Sequence, residues 1–72
     1  MKKIKKIKIR VNGKVKTLQY RTKLSKLVKT LKLPIKKVAI EVNQEIVDKK
    51  KLDKILLKNK DKIEIVHFIG GG

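Results

Sequence analysis

The chain contains no cysteine, one proline, two aromatic residues and, across residues 1–40, no acidic residue. The missing cysteine removes a disulfide framework, a thiolate metal site and a cysteine nucleophile. His67 is the only histidine, too little for a zinc site, so no metal ligand and no catalytic residue is expected. Tyr20 and Phe68 are the only aromatics and provide no stacking platform for single-stranded nucleic acid. No apolar run approaches the roughly 18 residues of a membrane span, so no membrane association is expected. The start, Met1-Lys2-Lys3, looks like the basic end of a signal peptide. Lys5, Lys6 and Lys8 interrupt the apolar stretch that would have to follow. The expected compartment is the cytoplasm, or an organelle stroma if the chain is organelle-encoded.

What the chain has instead is lysine. Its 72 residues carry 22 Lys or Arg against 6 Asp or Glu, a formal charge of +16. Residues 1–40 hold 15 of the basic residues, whereas residues 41–72 hold 7 basic and 6 acidic ones. Such asymmetry points to nucleic acid, an anionic surface or an acidic partner. Only two of the 22 are arginines, Arg10 and Arg21, and arginine is the usual bidentate reader of base edges. The lysines also alternate with apolar residues, as solvent-facing positions do. Nucleic-acid binding is therefore expected only as a non-specific, low-salt effect. Hydrophobic residues make up 40% of the chain, enough for one small core. A chain this short suits a binding module or carrier better than a self-contained enzyme.

Ile7, Ile9 and Val11 alternate with Lys6, Lys8 and Arg10, the period of a half-buried strand. Ile4 joins it one residue out of phase. Asn12-Gly13 follows, a pair that tolerates positive φ and favours a type I′ hairpin. A second strand should run from Lys14 to about Tyr20, with Val15 and Thr17 in one phase and Leu18 and Tyr20 in the other. Tyr20 is expected at the core edge. Thr22 is a candidate N-cap. Leu24, Leu27, Val28 and Leu31 form one apolar stripe, predicting a helix over 23–32 that Pro34 cannot extend. Val38, Ile40 and Val42 predict a third strand, and Ile46-Val47 a short fourth. Residues 48–54 read as irregular. Leu52, Ile55, Leu56 and Leu57 are expected to pack under the sheet. In the last strand Ile63, Ile65 and His67 share one face and Glu64, Val66 and Phe68 the other, which suggests a central strand partly buried on both sides. The expected architecture is α+β, a ubiquitin-like β-grasp with a mixed four- to five-stranded sheet and one main helix across it. The domain should span 1–69, with 70–72 a flexible glycine tail.

The last strand runs into Gly70, Gly71 and Gly72. Fully extended, three residues reach roughly 10 Å, and without side chains they can thread a narrow channel and present the carboxylate of Gly72 to chemistry inside a partner. Taken alone, such a run also fits a frayed terminus. The segments Ala39 to Val47 and Lys60 to Gly72, with Leu57, Val11-Asn12-Gly13 and a helix starting near Thr22, closely resemble the ThiS family of sulfur carriers in thiamine thiazole synthesis. Asn59-Lys60-Asp61 departs from the family's glycine between two acidic residues, and the +16 charge departs from it further.

The resemblance implies a carrier rather than an enzyme. Gly72 would be adenylylated and then converted to a thiocarboxylate, with Gly70 and Gly71 in the partner's channel. The candidate interface residues are His67, Phe68 and Ile69. No cofactor is implied for the chain itself; ATP and Mg²⁺ belong to the activating partner. The implied partners are a ThiF-type adenylyltransferase, a ThiG-type thiazole synthase and a cysteine desulfurase route. The small subunit of molybdopterin synthase, a ubiquitin-like modifier and a basic nucleic-acid-binding module are the alternatives.

Overall fold

A computed structural model describes residues 5–68. Five strands form one mixed sheet: β1 Lys6–Val11, β2 Lys14–Gln19, β3 Val38–Val42, β4 Glu45–Ile46 and β5 Lys62–His67. Their spatial order is β2-β1-β5-β3-β4. Only the β1–β5 pairing is parallel. One α-helix, α1 Leu24–Thr30, lies between β2 and β3 in the chain. This is the expected β-grasp order. Ile4 lies outside the described residues.

Both hairpins follow from residues that accept positive φ. Val11 pairs with Lys14 across Asn12 and Gly13, whose φ values are 49° and 84°. Val42 pairs with Glu45 across Asn43 and Gln44, at 52° and 73°. Two-residue turns with both central φ values positive match the right-handed twist of the strands they join.

The core forms where the alternating and helical stripes meet. Ile7 and Ile9 of β1, Val38 and Ile40 of β3, and Ile63 and Ile65 of β5 pack with Leu24, Leu27 and Val28 of α1 and with Leu57. In β2 the half-buried phase is Lys16 and Leu18, while Val15 and Thr17 are exposed. Tyr20 is exposed rather than placed at the core edge, with the Lys5 ammonium 5.3 Å from its ring. β5 is central but is buried on one face only: Glu64 and Val66 are exposed, because α1 covers one side of the sheet.

Several boundaries differ from the expectation. Thr22 does not cap α1; its hydroxyl donates to the Gln19 carbonyl, and Lys23 is the cap residue, without a side-chain bond. The loop at 55–57 takes over that role. Leu24 N–H donates to Ile55 O and Leu57 N–H to Thr22 O, each at 2.9 Å. The backbone of a distant segment thus satisfies a helix-end donor that a hydroxyl was expected to meet. That position buries Leu57, half-buries Ile55 and leaves Leu56 exposed. The helix also ends early. Lys32 adopts φ 55°, with Lys32 N–H donating to Lys29 O and Leu33 N–H to Val28 O. This is a Schellman motif. Residues Lys49–Lys54 form 3-10 turns rather than irregular chain, capped by the Asp48 carboxylate, which accepts from Lys50 N–H at 2.9 Å. The short fourth strand starts one residue earlier than expected, and Val47 N–H still donates to Ile40 O.

Candidate functional site

The end of β5 leads into the glycines. Ile69, Gly70, Gly71 and Gly72 lie outside the described residues, so the structure bears on the strand that carries them. On one side β5 pairs with β3 over five residues, from Val42 opposite Ile63 to Val38 opposite His67. Phe68 N–H extends this side by donating to Lys37 O at 2.9 Å.

On the other side the ladder with β1 is short. Arg10 lies opposite Lys62 and Val11 opposite Ile63, and β1 then turns away. Asn12 fills the place where the strand would continue. Its backbone N–H donates to Ile63 O at 2.9 Å. Its side-chain Oδ1 accepts from Ile65 N–H at 2.7 Å, and its Nδ2 donates to Ile65 O at 3.2 Å. A primary amide carries one donor face and one acceptor face, as a peptide group does. One side chain thereby imitates a further residue of β1. Beyond Ile65, the backbone of His67 faces the same side, and no hydrogen bond meets it there among the described residues.

The turn before β5 is built from side chains as well. Asp61 accepts from Lys58 N–H and from the Asn43 amide, and Asn43 Oδ1 accepts from Lys62 N–H. Asn59 Oδ1 accepts from Lys8 N–H at 2.8 Å. The Asn59-Lys60-Asp61 departure therefore keeps a hydrogen-bonded turn, with Lys60 at φ 75° where a glycine would sit without strain.

His67 is exposed on the helix-side face, at the rim of a groove of about 340 Å³ lined by Val11, Asn12, Leu31, Leu33 and Ile65. Phe68 is 53% exposed. It follows Val66 in the phase of the uncovered face, where Ile46 and Val66 are also exposed. The Lys49 ammonium lies 5.3 Å from the centre of its ring. The uncovered face is divided in charge. Lys6, Lys8, Arg10 and Lys62 are exposed along β1 and the start of β5, while Glu41 and Glu64 lie opposite each other on β3 and β5. Among the described residues no cluster of three or more His, Cys, Asp or Glu could hold a metal ion, and no helix is long and apolar enough to cross a membrane.

Sequence reasoning missed two side chains. Asn12 was legible only as a turn residue, because its partner is 53 positions away. Lys49 sits in the run Lys49-Lys50-Lys51, and nothing local separates it from its neighbours.

Comparison with known proteins agrees with this geometry. Residues 9–72 match the model of the ThiS family. The chain is 38% identical over 65 residues to the sulfur carrier protein ThiS of Bacillus subtilis, covering 89% of this chain and 98% of that one. It is 38% identical over 66 residues to a thiazole synthase of Magnetococcus marinus, and there it spans only 20% of the relative's length. A crystal structure of the thiamine biosynthesis protein ThiS from Geobacter metallireducens superposes with a TM-score of 0.80 at 29% identity, covering 92% of this chain and all of that one. With the family model spanning nearly the whole chain, a β-grasp sheet of matching shape and a terminal strand leading into three glycines, the chain belongs to the ThiS family.

Proposed function

We propose that this protein is a sulfur carrier for thiazole formation in thiamine biosynthesis, with the carboxylate of Gly72 as its reactive group. The observation that carries the reading is the nearly end-to-end match to a ThiS sulfur carrier, joined to a strand β5 that is held firmly up to the root of the glycines.

The chemistry follows from the weakness of a carboxylate as an acyl donor. The Gly72 carboxylate attacks the α-phosphorus of ATP, pyrophosphate leaves and an acyl-adenylate forms. A persulfide delivered through a cysteine desulfurase route then displaces AMP and forms an acyl disulfide. A second thiol of the delivering partner attacks the donor sulfur, forming a partner disulfide and releasing the thiocarboxylate, which passes its sulfur to the thiazole. Mg²⁺ and ATP act in the adenylylating partner, of ThiF type. The domain, residues 1–69 in this reading, serves as a handle, and Gly70 and Gly71 as the thread through the partner's channel. His67, Phe68 and Ile69 lie where such a partner closes on the carrier. A ThiG-type thiazole synthase is the proposed acceptor. A chain of that name holding a stretch similar to this one supports the pairing. The reading places the protein in the cytoplasm, or in an organelle stroma if the chain is organelle-encoded.

The test is intact-mass spectrometry after incubation with the adenylyltransferase, Mg²⁺-ATP and a sulfur source. An oxygen-to-sulfur exchange confined to Gly72 is expected, and deletion of Gly72 should abolish it. Sulfur loading that survives the deletion would overturn the proposal.

A further inference from the structure

We propose that Lys49 is a positioning residue for the root of the C-terminal tail, fixing the ring of Phe68 and with it the direction in which the chain leaves β5. The inference rests on the carrier reading for its purpose, though not for its geometry.

Lys49 differs from the lysines around it. Lys50 and Lys51 are exposed, whereas Lys49 is half-buried. Its Nζ donates to Ile35 O at 2.8 Å and to Val38 O at 2.6 Å. Those carbonyls belong to the 3-10 turn Ile35–Lys37 and to the first residue of β3. The carbonyl that receives Phe68 N–H is that of Lys37, between the two. One ammonium therefore holds the turn that holds Phe68, and it also faces the Phe68 ring at 5.3 Å. A cation over an aromatic face is attracted by the ring's quadrupole.

The placement runs against the overall field. In a chain of charge +16, with Lys36 and Lys37 in the same turn, bringing a further cation inward is electrostatically unfavourable. Satisfying two carbonyls does not require an aromatic ring above the ammonium. The ring contact ties the arrangement to the last described residue before the tail. A root ordered in advance lowers the entropy lost when a partner captures the tail.

The experiment uses the full chain. Lys49→Met removes the charge while keeping much of the side-chain bulk, and Lys49→Arg keeps the charge. By NMR, the Lys49 ε-protons should be shifted upfield by the ring and should lose that shift in Phe68→Leu. Amide exchange at Phe68 should quicken roughly fivefold in Lys49→Met, the size of a typical cation–π contact, with Ile65 little changed and Lys49→Arg close to the parent protein. With the adenylylating partner, Lys49→Met should raise KM for the carrier by a similar factor and leave kcat nearly unchanged, with Lys49→Arg restoring KM. Unchanged Phe68 exchange in Lys49→Met overturns the proposal, and so does faster exchange with an unaltered KM. If Lys49→Met does not fold, Phe68→Leu decides from the ring side: KM equal to that of the parent protein overturns the proposal. Failure of the parent protein to accept sulfur would instead sink the carrier reading, and the exchange data would then decide the role of Lys49 alone.

Discussion

Replacing Asn12 by glycine isolates the clamp on β5. Glycine accepts the φ of 49° found at Asn12, so the turn is preserved and the two side-chain bonds to Ile65 are lost. Each such bond contributes about 0.5–1.5 kcal/mol net, which puts the pair near 2 kcal/mol. Ile65 is 9% exposed, so its freed backbone groups are only poorly hydrated and the upper part of that range applies. A core of this size supplies only about 3–5 kcal/mol of net stability. Asn12→Gly should therefore remove roughly half of it, lowering Tm by about 8–16 °C at the 4–8 °C per kcal/mol typical of small domains. Asn12→Asp keeps the 2.7 Å acceptor and loses the 3.2 Å donor, so it should fall about halfway between. Urea unfolding gives the free energies, and amide exchange at Ile65 reports the clamp itself. Asn12→Gly within about 0.5 kcal/mol of the parent protein, with Ile65 exchange unchanged, would show that the amide is not replacing a strand.

Two further outcomes follow from backbone strain and charge. Lys32→Gly should stabilise by about 0.5–1 kcal/mol, because glycine has no Cβ penalty in the left-handed conformation that Lys32 adopts; a lower Tm would contradict this. Raising salt from 0.01 M to 0.15 M shortens the screening length from about 30 to 8 Å, so Tm should rise as repulsion within the +16 chain weakens, and non-specific binding to duplex DNA should fall over the same range. A Tm indifferent to salt would mean that the lysines are too dispersed to oppose folding.

The elements that the sequence made legible are those whose information is local. Ile7 and Ile9 alternate, Asn12-Gly13 turns, and Leu24, Leu27 and Val28 share a helical stripe; each needs only near neighbours to be recognised. The features that escaped depend on distant partners or on conformations without a residue signature. Thr22 had the chemistry of a cap, but residues 55–57 bridged the helix entrance and left the hydroxyl to the turn before it. The α1 stripe continued through Leu31, yet the helix ended because Lys32 took a conformation more typical of glycine. Val66 looked like core by composition and is exposed, because only one face of the sheet has a helix to cover it. At the candidate site the glycines were legible as a motif. The amide and the ammonium that secure their approach were not, since neither residue type nor spacing marks them out.

Finishing a parallel ladder with one side chain has a thermodynamic consequence at the next residue. The amide of Asn12 satisfies Ile65 and can reach no further. Among the described residues no hydrogen bond meets the N–H and C=O of His67 on that edge. While solvated they cost nothing, but each would cost about 1–3 kcal/mol if dehydrated without a partner. Any surface that closes over this edge must therefore bring one donor and one acceptor in strand-like register, and a purely apolar surface is rejected there. Two backbone groups of one strand residue thus act as a filter on what can approach the carrier's end.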